Sequence, residues 1–225
     1  MPLQNRVTPF GEIVAVAGRG LMMGNRGVLH DDQRRIIRYA QVRRWIACRT
    51  EFRGRKRTVM KPRSYTELFF LDEATALAAG HRPCAECRHE DYQRFRMLWV
   101  RCHGGPTGAD QMDLRLERDR LASRRTKRLY RADIATLPDG TYIVVDGDAW
   151  LLWGDAMHKW SAEGYMVRQR RKRRGDVDVI TPRSIVTLLA AGYQPMVHPS
   201  AQALNDASPN KTSDDTDRIV RETSS

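Results

Sequence analysis

The hydrophobic and polar positions change period several times along the chain. Glu12-Ile13-Val14-Ala15-Val16-Ala17 is a short apolar run, and it predicts a buried strand closed by Gly18-Arg19-Gly20. Gly24-Asn25 and Gly27 then predict a turn between short extended pieces. Residues 35–39 and 43–52 are rich in β-branched and aromatic side chains and read as strands, with Cys48 in the second. Thr58-Val59-Met60 is a possible return strand ended by Pro62, and Tyr65 to Phe70 is a further strand.

The period switches to that of a helix at Leu71–Gly80, with Asp72 as N-cap and Gly80 as C-cap glycine. A second helix is predicted from Arg88 to about Cys102. Its Tyr92, Phe95 and Trp99 recur at helical spacing and read as a core face. A third helix, 109–128, carries Arg115, Arg118, Arg120, Arg124, Arg125, Lys127 and Arg128. Thr141–Asp146 and Ala149–Trp153 predict a hairpin around Gly147-Asp148. Short extended pieces follow at Ala156–Trp160, Gly164–Val167 and Val177–Ile180, then a helix from Pro182 to Ala191. The pattern is that of an α+β chain with small antiparallel sheets. It divides into a β-rich region 1–104, a region 105–198 with the basic helix, hairpins and final helix packed on the first, and a disordered tail 199–225.

One heptapeptide form occurs twice. Leu77-Ala78-Ala79-Gly80-His81-Arg82-Pro83 is echoed by Leu189-Ala190-Ala191-Gly192-Tyr193-Gln194-Pro195. Both read as a helix stop followed by a ring and a proline. Because Tyr193 stands where His81 does, the echo favours a packing role for His81.

The 225 residues carry a net charge of +12, with a pI near 10.1. Such a balance favours polyanionic partners, and the expected partner is nucleic acid, DNA first. The densest basic stretches are Arg53, Arg55, Lys56 and Arg57; then Arg124, Arg125 and Arg128; then Arg170, Arg171, Lys172, Arg173 and Arg174. Charge runs are also the ordinary composition of solvated loops. No run of apolar residues is long enough to cross a membrane, and the N-terminus lacks a signal-peptide core. A cytoplasmic chain in a reducing compartment is expected, so Cys48, Cys84, Cys87 and Cys102 read as ligands or free thiols rather than disulfides.

Cys84-Ala85-Glu86-Cys87 follows the Gly80–Pro83 turn, and a C-x-x-C on a tight turn can aim two thiolates at one zinc ion; a redox pair is the alternative. From Glu73 to Cys87 the sequence resembles the zinc-binding module of the Ada DNA-repair family, whose helix and turn follow the form E-A-x-x-x-x-G-[FY]-R-P-C-x-x-C. The resemblance extends over about residues 45–99. The whole chain also resembles a group of bacterial proteins sharing the segments GNRG, YTELFFLDEA and AGHRPC. In the Ada module four cysteines bind zinc, and one thiolate accepts a methyl group from a DNA phosphotriester. The resemblance implies an Ada-like zinc turn between two helices, with Cys84 and Cys87 as the C-terminal ligand pair. Cys48 is then the strand-side ligand and possible nucleophile. The fourth ligand is open among His89, Cys102, His81, His30 and a water molecule.

Two other functions stand beside a zinc-stabilised nucleic-acid-binding protein. One is a nuclease or other nucleic-acid-processing enzyme, using His30 with Asp31 and Asp32, the Asp146/Asp148 pair, or His158. The other is a structural zinc module in a protein that binds proteins.

Overall fold

The structure, a computed structural model, describes residues 1–54, 58–105, 108–123 and 125–206. These form an α+β fold of two six-stranded, mostly antiparallel sheets and five α-helices. Arg55, Lys56, Arg57 and Arg124 lie outside the described residues, as does the expected tail beyond 206.

The elements in chain order are β1 (Arg6–Val7), β2 (Ile13–Val14), β3 (Met22–Asn25), β4 (Ile46–Arg49), β5 (Leu68–Phe70), α1 (Glu73–Ala78), β6 (Arg82–Pro83), α2 (His89–His103) and α3 (Ala109–Arg120). They continue with β7 (Tyr130–Asp133), β8 (Tyr142–Val145), β9 (Asp148–Trp153), β10 (Ala156–Trp160), β11 (Tyr165–Arg170), β12 (Asp176–Val179), α4 (Arg183–Ala190) and α5 (Pro199–Asp206). The first sheet has the order β2-β1-β5-β3-β4-β6 and the second β11-β10-β9-β8-β12-β7.

Helix α1 is the hub. All six of its residues are buried. Leu77 faces a cluster built from α2, α3 and α4 that includes Phe95, Trp99, Leu116 and Leu188. Ala74 and Ala78 face Tyr142, Leu151 and Ile180 of the second sheet. Ala76 and Ala79 face Leu68 and Phe70 of the first sheet. Three layers can close on one helix only if its side chains are short, which accounts for the alanine content. Asp72 caps the helix by accepting from the Thr75 amide at 2.8 Å, and Tyr165 Oη donates to its other oxygen at 2.6 Å.

Both copies of the repeated heptapeptide stop their helices with the same hydrogen bonds. Gly80 N donates to Leu77 O and His81 N to Ala76 O; Gly192 N donates to Leu189 O and Tyr193 N to Leu188 O. This is the Schellman pattern, with the glycine in the left-handed region at φ 93° and 99°. His81 and Tyr193 are both buried rings.

Several sequence expectations change. Gly24 lies inside β3 instead of in a turn, because the strands crowd there: a Cβ on Gly24 would meet Ile46 O at 2.2 Å and the Phe70 ring at 2.9 Å. The strand expected at 35–39 reduces to a bridge between His30 and Ile36, and that at 43–52 narrows to β4. Residues 58–60 form a turn. Helix 109–128 ends at Arg120, whose side chain turns inward to donate to the carbonyls of Gly80 and Arg43; Leu121 and Lys127 then pair across a turn. The β8–β9 turn sits at Asp146-Gly147, one residue earlier than read. The first part of the basic run belongs to β11. Residues 199–206 of the expected tail form α5, held because Ala201 and Leu204 pack beside Tyr165 and Ser200 Oγ accepts from the Tyr165 amide.

Candidate metal centre

The cysteines meet because of one short parallel pairing. After the Gly80 stop the chain returns as β6 alongside β4, with Ile46 opposite Arg82 and Ala47 opposite Pro83. The Cys84 amide donates to Ala47 O at 2.9 Å. The next residue on each strand is then a cysteine, Cys48 beside Cys84. The tight turn that follows brings Cys87 back over the pair, and α2 begins two residues later.

The Sγ atoms of Cys48, Cys84 and Cys87 all lie within 4.8 Å of one another, and all three residues are buried. Tetrahedral zinc with thiolates at about 2.3 Å needs sulfurs about 3.8 Å apart. Sulfurs within 4.8 Å of one another are near that separation. The surrounding shell is apolar, from Met23, Ile46, Phe52 and Phe69.

The backbone is arranged for anionic sulfur. Cys84 Sγ accepts from the amides of Glu86 and Cys87, and Cys87 Sγ accepts from the Arg49 amide at 3.4 Å. Hydrogen bonds from Cys48 and Cys87, with those amides, depress the Cys84 thiol to about 2. Donation to Cys84 raises Cys48 well above the usual thiol range. For Cys87, Cys48 pulls the pKa down, but Cys84 and burial outweigh it and the net shift is upward. The hydrogen bonds of the trio therefore favour negative charge on Cys84 and disfavour it on Cys48 and Cys87. A divalent cation is the natural replacement for the protons of those two thiols. The donor set thus fits a metal that takes sulfur, and the three cysteines can hold one.

None of the four residues considered as the fourth ligand joins this group. His81 is packed between Trp45 and Phe70, with ring centroids 5.1 and 4.6 Å away, and its Nε2 accepts from Arg26 Nε at 3.3 Å. His30 is committed to Thr66 Oγ1 at 2.6 Å and Lys61 O at 3.3 Å. Cys102 sits near the far end of α2 against Thr187 of α4. His89 is exposed, and its Nδ1 donates to Ala85 O at 3.1 Å.

The residues considered for hydrolytic chemistry are scattered. Asp31 pairs with Arg35 in a turn, and Asp148 pairs with Lys159 across β9 and β10. Asp146 occupies the β8–β9 turn, and His158 is buried in β10. Of the basic candidates, Arg53 lies over the Phe52 ring beside the cysteines. Arg128 donates to Arg118 O and Leu121 O, and Arg125 lines a surface cleft. Arg171 pairs with Asp139 and clasps the Leu137 carbonyl, so it is a structural clamp. Arg170, Lys172, Arg173 and Arg174 are exposed at the end of β11 and the turn after it.

Beside the centre opens a cleft of about 660 Å³, lined in part by Arg49, Glu51, Glu73, Arg88, Asp91 and Arg94. Arg49 follows Cys48 and Arg88 follows Cys87 in sequence. Buried Arg88 donates to Glu73 Oε1 at 2.7 Å and Asp91 Oδ2 at 2.9 Å, and its Nη1 makes no hydrogen bond. The sequence had offered no reason to single these two arginines out from 39 basic residues.

Among the described residues no helix is long and apolar enough to cross a membrane. Comparison of the chain with protein-family models, with curated proteins and with solved structures gives no match.

Proposed function

We propose that the protein is a zinc-binding, nucleic-acid-binding protein whose Cys48, Cys84 and Cys87 hold the metal. The observation that carries this reading is the convergence of three buried sulfurs within 4.8 Å on a turn whose amides donate to them. Zinc is the ion chosen because the donor set is all thiol and buried, and because the turn resembles the Ada zinc module. The ion would keep the sulfurs deprotonated at neutral pH. Three protein donors would leave a tetrahedral ion one position for a ligand from outside, and the sequence neighbours of two of them, Arg49 and Arg88, line a cleft.

Nucleic acid is the proposed partner on the strength of the +12 charge and of the exposed Arg49 and Arg53 near the centre. A link to DNA repair rests on the Ada resemblance. Titrating labelled duplex and single-stranded oligonucleotides against the zinc-loaded protein at several salt concentrations tests the partner. The reading predicts a log affinity that falls linearly with log salt, by about 0.9 per phosphate neutralised on duplex DNA. Loaded protein with no oligonucleotide affinity at low salt would overturn the nucleic-acid half and leave the metal half standing.

A further inference from the structure

Away from the cysteines, basic side chains gather around Trp45. Arg26 and Arg120 are 0% and 1% exposed. Their guanidinium carbons lie 4.0 and 3.8 Å from the centre of the Trp45 ring. Lys127 reaches the same region and donates to Ala78 O. His81 completes the group. Arg26 Nε donates to its Nε2, which places the ring proton on Nδ1 and keeps the imidazole neutral. Burial and the mutual repulsion of these groups lower His81 and Lys127 well below their usual ranges and Arg120 to about 9.

The nearest carboxylates are engaged elsewhere. Asp113 is held by Arg82 through two bonds of 2.8 Å, and Glu117 by Arg43 at 2.7 Å. Arg26 Nη2 and Arg120 Nε are buried and make no hydrogen bond among the described residues. Asp113 and Glu117 offset part of the Arg120 charge and Tyr39 part of that on Arg26, but burial outweighs both, and buried cations without a full set of acceptors are disfavoured. An anion from outside is the missing partner.

The way in is over Tyr39. Its ring lies 4.7 Å from the Arg26 guanidinium on one side. It also forms the wall shared by two adjoining clefts of about 300 and 310 Å³. Arg38 and Arg125 line both, Ile13, Ile36 and Ile37 supply apolar wall to the first, and among the described residues no acidic side chain lines either cleft.

We infer that this cleft binds a phosphate group, held by Arg38 and Arg125 and drawn in by the buried positive charge of Arg26 and Arg120 behind the Tyr39 ring. Arginine forks match phosphate oxygens, and a dianion suits several cations better than a carboxylate does. The space exceeds one phosphate, so the group arrives on a larger molecule whose organic part meets the isoleucines. That molecule is either a free phosphate compound or a nucleic-acid backbone. The site shares no residue with the cysteine centre and does not depend on it.

The test is thermal unfolding of the full chain with increasing pyrophosphate, against sodium chloride of equal ionic strength. The unfolding temperature is expected to rise and saturate with pyrophosphate alone. In Arg38→Ala/Arg125→Ala, both exposed positions, the same rise should need about tenfold more pyrophosphate. Arg26→Met probes the buried charge and should weaken binding similarly; if it does not fold, the double variant decides. A rise no larger than that in chloride, or one unchanged in the double variant, overturns the site. Displacement of pyrophosphate by a short oligonucleotide assigns the backbone as source, and pyrophosphate binding without displacement assigns a free phosphate compound.

Discussion

Cys84 stands beside Cys48 because Pro83 pairs in parallel with Ala47 and the Cys84 amide donates to the Ala47 carbonyl at 2.9 Å. Two residues of sheet pairing thus unite cysteines separated by 35 others. The protonation of the trio follows from its hydrogen bonds. They favour the thiolate on Cys84 and hold Cys48 and Cys87 as thiols with raised pKa. Loading zinc at pH 7 should therefore release about two protons per ion, whereas three unperturbed thiols would release nearly three. Calorimetry in buffers of different ionisation enthalpy counts them. Acidification reverses the exchange, so metal affinity should fall as pH falls.

The two helix stops separate backbone strain from crowding. Gly80 and Gly192 share the same left-handed conformation. A Cβ on Gly192 meets open space, but on Gly80 it would lie 2.6 Å from Arg120 Cδ. Gly192→Ala should cost about 1 kcal/mol, the conformational penalty alone. Gly80→Ala should cost a further 1–3 kcal/mol for the overlap. Equal losses in denaturant titrations would mean that Arg120 does not pack there.

The Arg82–Asp113 pair is almost fully buried, with two bonds of 2.8 Å joining α3 to β6. Asp113→Ala leaves the guanidinium without its carboxylate and should cost about 3–5 kcal/mol. Arg82→Met combined with Asp113→Leu should recover most of that loss, because neither charge is then stranded. A double variant as unstable as the single one would assign the pair a structural role that apolar packing cannot replace.

His81 is neutral in the fold, because burial first and then Arg26, Arg120 and Lys127 lower its pKa well below the ordinary 6.5. The unfolded chain takes up this proton near pH 6.5. The contribution to stability is therefore complete above that pH and declines as pH falls below it, by at most about 1.4 kcal/mol per pH unit. His81→Phe keeps a ring against Trp45 and Phe70 and should flatten the decline between pH 6.5 and 5. His103 and His158 are shifted in the same direction, so some slope will remain. An unchanged slope in the variant would show that His81 is protonated in the folded protein.

Much of this is legible in the sequence. Helices α1 and α4 carry their own punctuation in Asp72, Gly80 and Gly192, and α2 declares itself by the Tyr92-Phe95-Trp99 stripe, a buried face. The repeated heptapeptide made a packing role for His81 readable. What local pattern could not show was long-range pairing. β4 and β6 are too short to declare themselves, yet their register is what gathers the cysteines. The basic helix misled for a related reason. Arg120 is one arginine among many by composition, and only its fit against Gly80 and Trp45 makes it an interior residue. A long side chain's destination is set by the neighbours that meet it, and sequence spacing does not record them.

The metal content of purified chain tests the central claim most directly. Elemental analysis of wild-type protein should find about one zinc per chain, with Cys48→Ser, Cys84→Ser and Cys87→Ser each losing it and Cys102→Ser and His89→Ala keeping it. A folded wild-type chain that stays metal-free when zinc is supplied, or a Cys48→Ser/Cys84→Ser protein that keeps its zinc, would contradict the account.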